Sequence, residues 1–331
     1  MTDLVGVLVT LGALAAVVAL VSSPFETLGW WGTWLNPYAD EPWPTAEADA
    51  TGDRPRAYVV YLSGIGSISG DELLPNELRF LDALEAALPQ CRVVRSVFPY
   101  SPAGRSLLTG QRVFEWLWRR LGHWRRSGRS VAPLLINLRN LFQVLVAADH
   151  RYGPVYGFGL AQTVVQQLNR AGYDAGLPVI LLGSSGGGQI SLAAAPYLAA
   201  ALDAPIGVVT VGGVMASDRG LDHVVRLTSL AGARDRIYRL GRRAFPGRWP
   251  FMAESRWNRA RAEGRLVERV IGPMGHAGKG AYFDPEAVTG GDVPCLALTV
   301  AAVRDAVCET LVAEDRVTIT PRPLLVATTE L

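Results

Sequence analysis

"LLGSSGGGQI", residues 181–190, sets two serines and three consecutive glycines behind an apolar lead-in. Glycine costs about 0.5–1 kcal/mol relative to alanine inside a helix or strand, so a run of it points to a steric need. Gly183-Ser184-Ser185-Gly186-Gly187 fits G-x-S-x-G with Ser185 at its centre. The preceding "PVILL" reads as a buried strand, and "GGQISLAAA" after it as a small-residue helix. A serine on so sharp a strand-to-helix turn has its hydroxyl lifted above the sheet. Glycines two before and two after it remove β-carbons that would strike the neighbouring strand and helix. Ser184 fails the pattern, because Leu182 stands two residues before it.

Outward from this turn, strand and helix signals alternate. "RAYVVYLSG", "CRVVRSVF" and "LPVILLG" read as strands, and so do "PIGVVTVGG", "HVVRLTSLAG" and "GRLVERVIG". "DELLPNELRFLDALEAAL", "AQTVVQQLNRA", "GGQISLAAAPYLAAAL" and "AESRWNRARAEG" read as helices between them. The alternation predicts an α/β domain: a mostly parallel sheet covered by helices on both faces. Its functional loops lie beyond the carboxyl ends of the strands.

A serine hydroxyl is a weak nucleophile near neutrality and needs a base that is itself held by a carboxylate. His276 follows the strand "LVERVIG" in the loop "PMGHAGKG", and Asp235 follows "VVRLTSLAG" in the loop "GARD". Both sit just past a predicted strand end, in the chain order serine, acid, histidine. Asp218 and Asp222, after "PIGVVTVGG", are the rival acids. His123 and His223 read as structural or solvated, and His150 borders a long insertion.

On "GSSGG", "GARD", "GPMGH" and the "LSGIGS" that follows the first strong strand, the chain resembles the α/β-hydrolase superfamily over about residues 56–290. The resemblance implies Ser185 as nucleophile, His276 as general base and Asp235 as the acid that orients it. It also implies an oxyanion hole made by the backbone amides of Ile65 and Gly186. Ser63 stands where the family usually carries a histidine. No metal or organic cofactor is needed for such chemistry.

The remaining features set the context. "LVGVLVTLGALAAVVALV" (4–21) is an uncharged apolar run, and a membrane-spanning helix needs about 17–25 such residues. Its flank "MTD" lacks the basic residues of a signal peptide, and Trp30, Trp31 and Trp34 follow it, as suits a membrane interface. The expected organisation is an anchor over 1–23, a linker over 24–55, and a hydrolase domain over 56–331. Its arginine content favours a cytoplasmic body. Lys279 is the single lysine, for which a GC-rich coding bias is the simplest account. A net charge of +2 gives no field for nucleic acid, and three scattered cysteines suggest neither disulfides nor zinc.

The insertion, about 104–150, holds two helical stretches. Val113, Phe114, Leu117, Trp118, Leu121 and Trp124 form a stripe on the first, and the second, 132–147, is apolar but interrupted by Asn137, Arg139 and Asn140. They read either as cap helices packed on the body or as an interfacial pair lying on lipid. The expected function is a membrane-anchored serine hydrolase cleaving an acyl ester, a lipid or lysolipid, through an acyl-enzyme. Two other readings stand beside it: an acyltransferase using the same triad, and a non-catalytic subunit that binds a membrane partner. The expected partners are thus an acyl ester or lipid substrate and the bilayer, with a membrane protein or a second copy of the chain as further candidates.

Overall fold

The computed structural model describes residues 54–70, 72–101 and 131–314, together with four helical positions, Gly6, Val7, Thr10 and Leu14, in the N-terminal run. The strands are β1 (Ala57–Leu62), β2 (Cys91–Val97), β3 (Val179–Ser184), β4 (Ile206–Val211), β5 (Arg226–Ala231) and β6 (Leu266–Val270). The helices of the body are α1 (Pro75–Ala87), α2 (Val131–Ala148), α3 (Gly153–Arg170), α4 (Gly187–Leu202), α5 (Arg236–Ala244), α6 (Arg256–Ala262) and α7 (Cys295–Glu314).

The six strands lie in the order β2-β1-β3-β4-β5-β6, and every neighbouring pair is parallel. β1, β3 and β4 are unbroken runs such as "AYVVYL" and "IGVVTV" because they are buried on both sides, the usual state of a parallel sheet. Alternate residues feed two cores. Tyr58, Val60 and Leu62 of β1 point to the face covered by α2, α3, α4 and α6. Ala57, Val59 and Tyr61 point to the other face, where Phe80 and Leu84 of α1 meet Val303 and Val307 of α7. The fully parallel, doubly covered sheet agrees with the sequence expectation. The C-terminal helix α7 has no counterpart in that expectation.

The chain runs outward from β1 to β2, then crosses back to β3 on the other side of β1. The order therefore reverses between β1 and β3, and a crevice opens at the carboxyl ends of two such strands. Leu62, at the end of β1, pairs with Gly183 of β3, so the loops that follow both strands emerge side by side. Helix α2, the second helix of the insertion, packs against α3 and α4 on this edge. The first insertion helix, with Trp118, Leu121 and His123, lies outside the described residues. So do most of the apolar run 4–21 and the tryptophans after it. Among the described residues no helix is long and apolar enough to cross a membrane.

Candidate active site

β3 ends at Ser184 and α4 begins at Gly187, which leaves Ser185 and Gly186 to make the whole turn. Ser185 adopts φ +51°, a left-handed conformation that side-chain-bearing residues rarely take. Strain of this kind costs about 1–3 kcal/mol and persists only where the surroundings over-determine it. Here they do. The Ser185 amide donates to the Val211 carbonyl at 3.0 Å, and its own carbonyl accepts from the amides of Gly188 and Val214, both at 3.1 Å. The flanking glycines leave no alternative residue. A β-carbon on Gly183 would lie 2.6 Å from the Gly188 nitrogen, and one on Gly187 would lie 2.3 Å from the Leu62 carbonyl oxygen.

The turn sends the two serines apart. Ser184 belongs to the surroundings of the buried Tyr61 hydroxyl, which donates to Glu77 at 2.7 Å. Ser185 faces His276: its Oγ stands 2.8 Å from Nε2 of the imidazole. On the far side of the ring, Nδ1 lies 2.8 Å from Oδ2 of Asp235. The described residues thus bring Ser185, His276 and Asp235 into one hydrogen-bonded line, reaching from the end of β3 to the loops after β5 and β6.

Asp235 is fully buried at the N-cap of α5. Burial pushes its carboxyl pKa upward, but hydrogen bonds from His276, the Tyr282 hydroxyl and the Tyr238 amide outweigh burial, and the net shift is downward. Tyr282 donates to Oδ2 at 2.5 Å and the Tyr238 amide to Oδ1 at 2.8 Å. The Tyr282 oxygen is itself fixed by the Gly232 amide at 2.8 Å, and burial followed by the bond to Asp235 raises its phenol well above the usual range. An ionised carboxylate only accepts, so the ring proton of His276 sits on Nδ1 and the Nε2 lone pair faces Ser185. Gly212, at φ +59°, passes beneath this pair. A β-carbon there would lie 3.0 Å from Asp235 Oδ2 and 3.3 Å from His276 Nδ1.

The two expected amide donors are neighbours across the crevice. The Ile65 side chain lies 2.9 Å from where a β-carbon of Gly186 would stand, and Val144 of α2 lies 2.7 Å from the same point. Among the described residues no backbone carbonyl accepts from the amide of Ile65 or of Gly186. The Ile65 loop is held from above by α2. The Asn140 amide donates to the carbonyls of Ile65 and Ser67, each at 2.7 Å. Tyr100 closes the side, donating to the Ser63 carbonyl at 2.7 Å, and Arg139 of α2 donates to the Tyr100 carbonyl.

The rival residues lie elsewhere. Asp218 caps the short turn Arg219–Asp222 and accepts from Gln189 at 2.7 Å. Asp222 pairs with Arg256 and Arg259. His150 is exposed, and His223, whose pKa burial lowers, lies outside the Ser185–Asp235 line. Asn140, Val144, Tyr100, Tyr238 and Tyr282 carry no local pattern that marks them in the sequence. Among the described residues no group of three His, Cys, Asp or Glu side chains is placed to hold a metal ion.

No family model and no curated protein matches the chain. Solved structures similar to it at low identity include the following three. One is m3DLH, at 14% identity and a TM-score of 0.42, covering 80% of this chain and 90% of its own. A second is LpqC, a poly(3-hydroxybutyrate) depolymerase from Bordetella parapertussis, at 14% identity and 0.31, covering 69% of this chain and 76% of its own. The third is a Trichoderma reesei cutinase in complex with a phosphonate inhibitor, at 13% identity and 0.28, covering 91% of this chain and 90% of its own. Overlaps this loose carry no argument, and the functional reading rests on the geometry of the site.

Proposed function

We propose that this chain is a serine hydrolase of the α/β-hydrolase superfamily that cleaves acyl esters through an acyl-enzyme. The observation that carries the reading is the line Ser185–His276–Asp235, with Ser185 held at positive φ on a glycine-flanked turn. Ser185 Oγ attacks the acyl carbonyl as His276 Nε2 takes its proton. Asp235 steadies the imidazolium, and His276 returns the proton to the leaving alcohol. The amides of Ile65 and Gly186 receive the oxyanion, each such donor being worth about 2.7–4 kcal/mol. Water, activated by the same imidazole, then releases the acyl group.

An ester with an apolar acyl chain, from a lipid or lysolipid, fits the surroundings best. Val144 and Ile65 form an apolar roof over Gly186, and Leu134, Leu141 and Leu145 give α2 an exposed apolar side. In this reading α2 belongs to a lid over the site, and residues 4–21 anchor the chain in a membrane with its body on the cytoplasmic side. Fluorophosphonate labelling followed by peptide mapping tests the chemistry. The label is expected on Ser185 and is lost in Ser185→Ala. Labelling at Ser184, or undiminished labelling of the variant, would overturn the proposal.

A further inference from the structure

Part of the chain's arginine excess is gathered in one place. Helix α5, capped by Asp235, turns only Tyr238 and Gly241 inward, Gly241 packing on Val214. Ile237 and Leu240 face solvent, Leu240 at 62% exposure. Arg236, Arg239, Arg242 and Arg243 surround them, all exposed. The stretch 236–253 contains no acidic residue, and among the described residues no carboxylate forms an ion pair with these four.

The chain then makes a fixed turn, Trp249-Pro250-Phe251-Met252. The Met252 amide donates to the Trp249 carbonyl at 3.0 Å, and proline at the second position presets the bend. The Asn258 side chain donates to the carbonyls of both Trp249 and Met252, at 2.8 and 2.9 Å. The Trp249 indole donates to the Arg243 carbonyl at 3.0 Å, which ties the turn to the end of α5. At its tip Phe251 is 74% exposed, against the Trp249 ring at 5.4 Å between centroids.

A phenylalanine presented outward by so many backbone anchors is preorganised: its ordering cost is incurred on folding, before any partner arrives. Apolar tips that insert at the boundary of headgroup and acyl chain, ringed by guanidinium groups that meet phosphate, match an anionic bilayer. The position agrees. Val214, on which Gly241 packs, donates its amide to the Ser185 carbonyl, so the patch stands one loop from the nucleophile on the same sheet edge. We propose that residues 236–252 are a docking surface for an anionic lipid bilayer, built from α5 and the Trp249–Met252 turn. Docking itself does not depend on the hydrolase reading. Only its use, to bring lipid esters to Ser185, rests on it.

The test uses the full-length chain carrying Phe251→Cys and Cys308→Ser, Cys91 and Cys295 being buried. A polarity-sensitive fluorophore at position 251 is followed in phosphatidylcholine vesicles with and without phosphatidylserine. An N-terminal anchor would hold the chain on both, so the label reads the patch alone. The expected result is blue-shifted, iodide-protected emission with phosphatidylserine only, reversed by salt. Arg239→Gln and Arg243→Gln should each lower the ratio of docked to undocked label on phosphatidylserine vesicles about fivefold, equivalent to about 1 kcal/mol per arginine near an anionic surface. The same label at Leu78→Cys on α1, under the opposite sheet face, should not respond. An absent response to phosphatidylserine, as expected if a protein partner covers this surface, overturns the proposal. So does an equal response in phosphatidylcholine or at Leu78→Cys. Ser185→Ala keeps the docking response, so failure of docking and failure of the hydrolase reading are read separately.

Discussion

Replacing Tyr282 by phenylalanine tests the electrostatics around Asp235 with little change of shape. The ring stays, with its edge against Gly212, and two hydrogen bonds go: the one given to Asp235 Oδ2 and the one received from the Gly232 amide. A hydrogen bond to a charged group contributes about 1.5–3 kcal/mol and an orphaned buried donor costs about 1–3 kcal/mol, so the expected loss of unfolding free energy is about 2.5–6 kcal/mol at neutral pH. The pH dependence has a definite sign. The net shift of Asp235 is downward, because the three donors outweigh burial. Stability from such a carboxylate is present above its unfolded pKa of ~3.9 and is lost as pH falls through the lower folded value. The gap between variant and wild type should therefore narrow in acid. Urea unfolding at neutral and acid pH measures the gap at each. A destabilisation equal at the two pH values would show that Tyr282 only fills space.

Gly187→Ala should cost more than 3 kcal/mol or prevent folding, because its β-carbon would stand 2.3 Å from the Leu62 carbonyl oxygen and neither backbone can yield; chemical denaturation checks this. Asn140→Leu should release the Ile65 loop, lowering kcat on a soluble ester by roughly tenfold to a hundredfold with KM nearly unchanged, as expected for a donor that acts on the oxyanion. A change confined to KM would mean that α2 contacts substrate without setting the loop.

β1, β3 and β4 were legible because parallel strands buried on both faces are written as unbroken apolar runs. Ser185 follows β3 at once, while Asp235 and His276 stand four and six residues past the ends of β5 and β6, which the register brings to the same edge. Other parts had no local signature. The helical signal of "AQTVVQQLNRA" covers only the second half of α3; the glycines of the first half, "GPVYGFGL", let it pass close to α4, where a β-carbon on Gly157 would lie 2.0 Å from the Ala193 carbonyl oxygen. Helix α7 is announced only by Pro294 before an apolar stretch that lacks a capping side chain. Tyr282 and Asn140 meet the site from 47 and 75 residues away, distances over which no spacing rule operates. The absence of acidic residues from 236–253 is plain in the sequence, but only the fold shows that no carboxylate from another described element pairs with the arginines of α5.

The position of the insertion follows from topology rather than from its composition. Passing from β2 to β3 requires the chain to cross β1, because β1 lies between them. The chain leaves β2 at its carboxyl end, so a helix inserted early in that connection starts at the edge where β1 and β3 also end, above the crevice of the strand-order reversal. α2 occupies this place, and its buried polar residues are then explained. Arg139 and Asn140, which make the helix too polar to span a bilayer, are turned inward, where they satisfy the carbonyls of Tyr100, Ile65 and Ser67. Those carbonyls belong to the segments after β1 and β2 that have left the sheet and lost its hydrogen bonds, and buried carbonyls need a partner. The same contacts that complete this hydrogen bonding hold the Ile65 loop beside Gly186. In this fold the helix over the crevice is also the support of the loop 65–67, and a substitution on the inner face of α2 reaches the neighbourhood of Ser185 through the backbone of that loop.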